Sequence, residues 1–138
     1  MATTAANDLG ELECAKRVLV IDDDASVRLA LAEGLRRRGF EVEVASSGRQ
    51  ALSQVASGEE FQTIVSDVFM EDGDGFEVLR SLGKGAGSPA IVLMSGGSRM
   101  MGSVECLQLA KPLGAVGVLQ KPFTMDELLN LLEPSKRG

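Results

Sequence analysis

Residues 61–75 read FQTIVSDVFMEDGDG, and the fold of the whole chain can be argued outward from them. Residues 63–66 hold two adjacent β-branched apolar side chains, Ile64 and Val65, and predict a short buried strand. The strand runs into an acid, Asp67, and then into Glu71, Asp72, Gly73, Asp74 and Gly75, an acidic loop rich in turn formers. Open α/β sheets bind ligands at the carboxyl ends of their strands, which is where Asp67 stands. Taken alone, an aspartate there reads more simply as a turn cap. A second strand with the same ending overturns that reading: Val18-Leu19-Val20-Ile21 leads into Asp22, Asp23 and Asp24.

Elsewhere in the chain, strand and helix patterns alternate. Residues 1–16 are small and polar and are expected to form a flexible extension before a single domain over 17–133, with a short tail at 134–138. At 138 residues the chain has room for one domain that buries roughly two-thirds of its unfolded surface. After a first strand at 17–21, Val27, Leu31 and Leu35 recur every four residues, with Leu29 beside them, and predict a helix over 25–38. Asp24 or Ser26 can cap its start. Arg36, Arg37 and Arg38 suit the negative end of its dipole, and Gly39 ends it. Residues 41–45, EVEVA, alternate like a strand near a sheet edge. A short helix at 48–56 follows, then the Asp67 strand, then a helix at 75–82 with Phe76, Leu79 and Leu82 facing inward. Residues 90–94, AIVLM, are unbroken apolar, as a central parallel strand should be. A fourth helix falls within 101–113, with Pro112 near its end, and a fifth strand at 116–119. The last helix, 124–132, opens on a capping box of Thr124 and Glu127 and is stopped by Pro134.

Composition removes several classes of function. The net charge of −6 argues against nucleic acid as a direct partner, because neutralising phosphates needs a basic face. Cys14 and Cys106 make no disulfide framework and no CxxC pair, which suits a reducing, cytoplasmic setting. The start of the chain lacks the basic and apolar regions of a secretory signal, and no apolar run approaches the ~20 residues that span a bilayer, so no membrane role is expected. With no histidine in the chain, histidine catalysis and zinc sites built on histidine are excluded.

Five strand–helix alternations predict an α/β fold: a doubly wound, five-stranded parallel sheet of order 2-1-3-4-5, with five helices covering both faces. That order sets strands one and three side by side and brings Asp22, Asp23 and Asp67 together. Three carboxylates in one pocket repel, and a hard divalent cation such as Mg²⁺ resolves the repulsion with a few carboxylates and waters. Strand four ends at Ser95 and strand five at Lys121-Pro122. A hydroxyl, a lysine and a metal converging on a carboxylate suit phosphoryl transfer, which asks mainly for charge neutralisation and in-line positioning.

The segments IDDD, TIVSD, LMSGG and LQKPF resemble the receiver domain of two-component response regulators, over about residues 17–132. The resemblance implies a flavodoxin-like fold and a phosphoprotein that takes a phosphoryl group on Asp67 from a histidine kinase or a histidine phosphotransfer protein. It implies Mg²⁺ held directly by Asp23 and Asp67, by Asp22 largely through water, and by the backbone carbonyl of Phe69. It further implies Ser95 as the hydroxyl switch residue, Lys121 as a contact to the phosphoryl group, and a cis Lys121–Pro122 bond. Asp24 lies outside the matched acids and reads as a helix cap. Three departures stand out. Glu71 replaces the family's usual proline, Val118 replaces its aromatic switch residue, and the stretch after Ser95 is long and rich in glycine and methionine (Gly96, Gly97, Met100, Met101, Gly102). The chain ends six residues after Leu132, so the expectation is a stand-alone receiver that signals to a downstream protein by a surface change at the strand 4, helix 4 and strand 5 face. Kinases are expected to dock against the first helix, with Ala25, Arg28 and Leu29 exposed.

Competing readings are an aspartyl-phosphate phosphatase, a receiver-like module that binds without phosphorylation, a calcium loop and a flavodoxin. The phosphatase wants a second acid two residues after Asp67, where Phe69 stands. The intact set of Asp22, Asp23, Asp67, Ser95 and Lys121 opposes the second. Met70 and Ser81 occupy the first and last ligand positions of the calcium loop, and no phosphate loop follows strand one as a flavodoxin requires. The chain is therefore expected to be a phosphoacceptor rather than a turnover enzyme.

Overall fold

The structure, a computed structural model, describes residues 16–70, 72–83, 88–96 and 103–132. The expected extension before Lys16, the tail after Leu132, Glu71 and the segment at 97–102 lie outside the described residues. Five strands, β1 (Arg17–Ile21), β2 (Glu41–Ala45), β3 (Thr63–Asp67), β4 (Ala90–Ser95) and β5 (Ala115–Gln120), form one parallel sheet in the order β2-β1-β3-β4-β5. Five helices alternate with them: α1 (Ala25–Arg37), α2 (Gly48–Ala56), α3 (Gly75–Leu82), α4 (Ser103–Ala110) and α5 (Met125–Leu132). The doubly wound order read from the alternation is the order found.

The strand pleat divides the core in two. Val18, Val20, Val65, Val92 and Met94 face one way and pack with Leu31, Leu35 and Leu128 of α1 and α5. Leu19, Ile21, Ile64, Ile91 and Leu93 face the other way, against Ala51, Val78, Leu79 and Cys106 of α2, α3 and α4. Successive side chains alternate sides of a strand, so a strand covered on both faces must be apolar along its middle, as β1 is over 18–21 and β4 over 90–94. Val78 was absent from the expected inward face of α3, yet it is fully buried, while Phe76 and Leu82 pack at the rim of the cluster.

Local signals explain the ends of the elements. The Asp24 carboxylate accepts from the Ser26 and Val27 amides at the start of α1, and Asp74 does the same for Glu77 at the start of α3. Thr124 and Glu127 form the reciprocal capping box, at 3.0 and 2.8 Å. Pro112 falls not in α4 but in a 3-10 turn, Lys111–Leu113, that follows it. β5 is longer than the alternation suggested. Val116 is an extra residue between the pairs Ile91–Ala115 and Val92–Gly117, a bulge that leaves it exposed.

Candidate functional site

Two neighbouring strands deliver the acids. β1 ends at Ile21, and the next residue, Asp22, is completely buried. Each of its polar groups is used. Its amide donates to Ala45 O at 3.2 Å. Its Oδ1 accepts from the Asp24 amide at 2.9 Å, its Oδ2 from Lys121 Nζ at 3.0 Å, and its carbonyl from the Arg28 guanidinium at 2.7 Å. Asp23 is exposed, and Asp24 caps α1 as expected.

Asp67 is the last residue of β3, with its side chain 14% exposed and one carboxylate oxygen 3.5 Å from Lys121 Nζ. Oxygens from Asp22, Asp23 and Asp67 all lie within 4.8 Å of one another. Burial pushes the Asp67 carboxyl up to about 6; the Lys121 charge opposes the rise and the Asp22 charge adds to it. Burial pulls the Lys121 ammonium down, but its hydrogen bond to Asp22 and the charges of Asp67 and Asp22 outweigh that, and the net shift is upward. Three carboxylates against one ammonium leave two negative charges when all are ionised. A divalent cation matches that surplus, and the set of one buried, one half-buried and one exposed acid fits an ion that keeps waters, as Mg²⁺ does.

The other two strand ends close the site. Ser95 ends β4, is 1% exposed, and its hydroxyl makes no well-formed hydrogen bond among the described residues. The Cys106 thiol, pushed up by burial, lies beside it as a weak partner. The Lys121 amide donates to Ser95 O at 2.8 Å, so the ends of β4 and β5 are tied to each other. The Lys121–Pro122 bond is cis. Phe69 lies two residues beyond Asp67 with its ring exposed, and Val118 is half-buried against the core under α4.

The loop after Asp67 is clamped to α2. Gly48 N donates to Gly73 O at 2.9 Å, Arg49 N to Asp72 O at 3.2 Å, and Arg49 Nε to the Asp72 carboxylate at 2.8 Å. Gly73 has φ +83°, and a Cβ on Gly48 would come 2.2 Å from Gly73 O, so two glycines meet where no side chain fits. Sequence reading missed this contact, because nothing local pairs Gly48 with Gly73.

One expectation about the first helix is corrected. Ala25 and Leu29 are exposed, Leu29 at 58%, but Arg28 is half-buried with its guanidinium on the Asp22 carbonyl. A long side chain can fold back over the turn that precedes it, which helical spacing alone does not reveal. Beside α1, a groove of about 440 Å³ lined by Val27, Ala30, Leu31, Lys121, Pro122 and Phe123 adjoins the acids. A cavity of about 500 Å³ lies at the opposite end of the sheet from Asp67, lined in part by Phe61, Ile64, Leu82 and Pro89.

Known proteins resemble the chain as a whole. The response regulator receiver domain model matches residues 18–133. The chain is 40% identical over 114 residues to response regulator MprA of Mycolicibacterium vanbaalenii, covering 82% of this chain and 47% of that protein. It is 30% identical to the DNA-binding transcriptional regulator NtrC of Rhizobium meliloti, covering 87% of this chain and 25% of that protein. The chain thus spans about half the length of the first of these relatives and a quarter of the second. Among solved structures, the chemotaxis protein CheY4 of Vibrio cholerae superposes with a TM-score of 0.76 at 33% identity, covering 88% of this chain and 98% of that one. The receiver domain of the Francisella response regulator 1452 gives 0.75 at 28%, with the same coverage.

Proposed function

Since the chain belongs to the response regulator receiver family, we propose that it accepts a phosphoryl group on Asp67 from a phosphohistidine of a kinase or phosphotransfer protein. The supporting observation is the convergence of Asp22, Asp23, Asp67 and Lys121 at the carboxyl edge of β1, β3 and β5. With its carboxyl near 6, Asp67 is mostly ionised at neutral pH and can attack phosphorus through an oxygen. The bond from phosphorus to the donor imidazole breaks, its electron pair stays on the nitrogen, and a proton from solvent completes the leaving group. Lys121 offsets the charge of one phosphoryl oxygen, and the Ser95 hydroxyl, held only weakly by Cys106, can turn to donate to another. Asp23, Asp67 and the Phe69 carbonyl would hold Mg²⁺, with Asp22 acting largely through water. When bound, the ion neutralises charge on the transferring group.

These 138 residues hold no histidine, so the phosphohistidine that donates the group lies outside them. The groove between α1 and the Lys121–Phe123 turn suits its docking. Output is proposed on the face of β4, α4 and β5, beside which a groove of about 390 Å³ is lined in part by Leu107, Val116, Val118 and Leu131. With Val118 in place of an aromatic ring, that output would rest on repacking small side chains. The same proposal reads the protein as cytoplasmic, as a phosphoacceptor rather than an enzyme, and as a single-domain protein acting on a protein target. Among the described residues no helix is long and apolar enough to cross a membrane. The mass of the natural protein, 14.5 kDa or larger, decides the single-domain part.

The direct test is incubation with Mg²⁺ and a small acyl phosphate, followed by peptide mapping. One phosphate increment on the Asp67 peptide, absent from Asp67→Asn, is expected. Labelling of equal rate in Asp67→Asn would refute the assignment.

A further inference from the structure

The guanidinium of Arg28 is half-buried and donates to the Asp22 carbonyl from six residues further along the chain. That carbonyl shares a planar peptide unit with the Asp23 amide, so a group that fixes its direction also fixes where the Asp23 Cα sits and narrows the directions its side chain can take. The rest of the turn is pinned by short links. The Asp24 amide donates to Asp22 Oδ1, the Asp24 carboxylate caps α1, and the Arg28 amide donates to Asp24 O at 2.9 Å. These links hold Asp22 and Asp24 on either side of Asp23. The Asp23 side chain itself is exposed and, among the described residues, gains no such support.

We infer that Arg28 is a positioning residue for the metal site: by holding the Asp22 carbonyl it presets the Asp23 carboxylate for a divalent cation. This rests on the proposed reading of Asp23 as a Mg²⁺ ligand. Two effects of the guanidinium compete. Its positive charge near the acids opposes a second cation, whereas its hydrogen bond prepays the ordering of a ligand. Outer partners that orient metal ligands are worth roughly 10–100-fold in affinity, and the charge of a half-buried arginine is damped by solvent, so orientation outweighs repulsion.

The chain has no tryptophan or tyrosine, so Mg²⁺ binding is best measured by calorimetry on the full chain, beside melting in EDTA and the Mg²⁺ dependence of acyl phosphate labelling. Arg28→Met should weaken Mg²⁺ binding by roughly tenfold and raise the Mg²⁺ needed for half-maximal labelling by the same factor. Arg28→Lys, which keeps the charge and one donor group, should recover part of the loss. Unchanged affinity with a lowered melting temperature would make Arg28 merely structural, and tighter Mg²⁺ binding in Arg28→Met would make it a repulsive charge; either overturns the inference. Should Arg28→Met fail to fold, Arg28→Lys decides alone: weaker Mg²⁺ binding at wild-type melting temperature supports the role, and wild-type affinity overturns it. A wild-type chain that binds no Mg²⁺ overturns the proposed function as well. One that binds Mg²⁺ and labels on Asp67, with Arg28→Met identical to it, overturns the role of Arg28 alone.

Discussion

Replacing Asp67 by asparagine should stabilise the metal-free protein, and by an amount that depends on pH. Burial pushes the Asp67 carboxyl from 3.8 to about 6, so the fold disfavours its ionised form. A folded-state value above the unfolded one means that stability is greatest below pH 4 and is lost as pH rises through 6. Each unit is worth about 1.4 kcal/mol, and a shift of about two units costs roughly 2–3 kcal/mol above pH 7. Little discount for solvent is due, because the side chain is only 14% exposed. Asparagine stands in for the protonated acid at every pH. The variant should therefore match wild type near pH 4 and exceed it by about 2–3 kcal/mol at pH 7.5, or on the order of 10 °C in melting temperature. Urea unfolding in EDTA at pH 4.5, 6 and 7.5 measures the gap, and Mg²⁺ should narrow it by stabilising wild type alone. A gap independent of pH, or a variant less stable at pH 7.5, would refute the reasoning.

Lys121→Met should slow acyl phosphate labelling more than tenfold while leaving Mg²⁺ binding at least as tight, because it removes a cation 3.0 Å from Asp22 and 3.5 Å from Asp67; calorimetry beside labelling separates the two, and lost Mg²⁺ binding would count against it. Gly48→Ala should cost about 2–4 kcal/mol by forcing the contact with Gly73 apart, whereas an alanine tolerated within 0.5 kcal/mol in urea unfolding would show that the loop yields freely. Thr124→Ala should cost about 1 kcal/mol by breaking the capping box, read from the same unfolding curves. Leu29→Ala, at an exposed position, should change stability by less than about 0.5 kcal/mol yet slow phosphotransfer from a phosphohistidine donor and not from acyl phosphate; equal slowing of both would place the damage in the pocket.

Most of this architecture is written locally. The apolar runs of β1 and β4, the alternation of β2, the cap at Asp24 and the box at Thr124 each depend on neighbours within four residues, and each is found where the pattern put it. Strand order then carries Asp22, Asp23, Asp67, Ser95 and Lys121 to one edge without further information. What stayed hidden depends on contacts between distant parts of the chain. The approach of Gly48 to Gly73 is set by how α2 and the loop after β3 settle against each other. The Val116 bulge is set by register against β4 rather than by a turn residue. Pro112 marked the end of α4 only loosely, because the chain tightens into a 3-10 turn there before Gly114. Arg28 looked like a surface residue of a docking helix because an arginine's reach is not part of any helical period.

β2 is one of the two outer strands of the sheet, and its regular EVEVA pattern is the sort of edge onto which another chain can add by backbone pairing. Its Glu41 and Glu43 side chains are 66% and 54% exposed, loosely gathered by Arg17 at 3.6 and 3.8 Å. A second copy aligned on this edge would bring like charges to about 5 Å from one another along the new ladder. The two glutamates thus act as gatekeepers against self-association. Negative charge guards the free side of β2, where a further strand would otherwise pair.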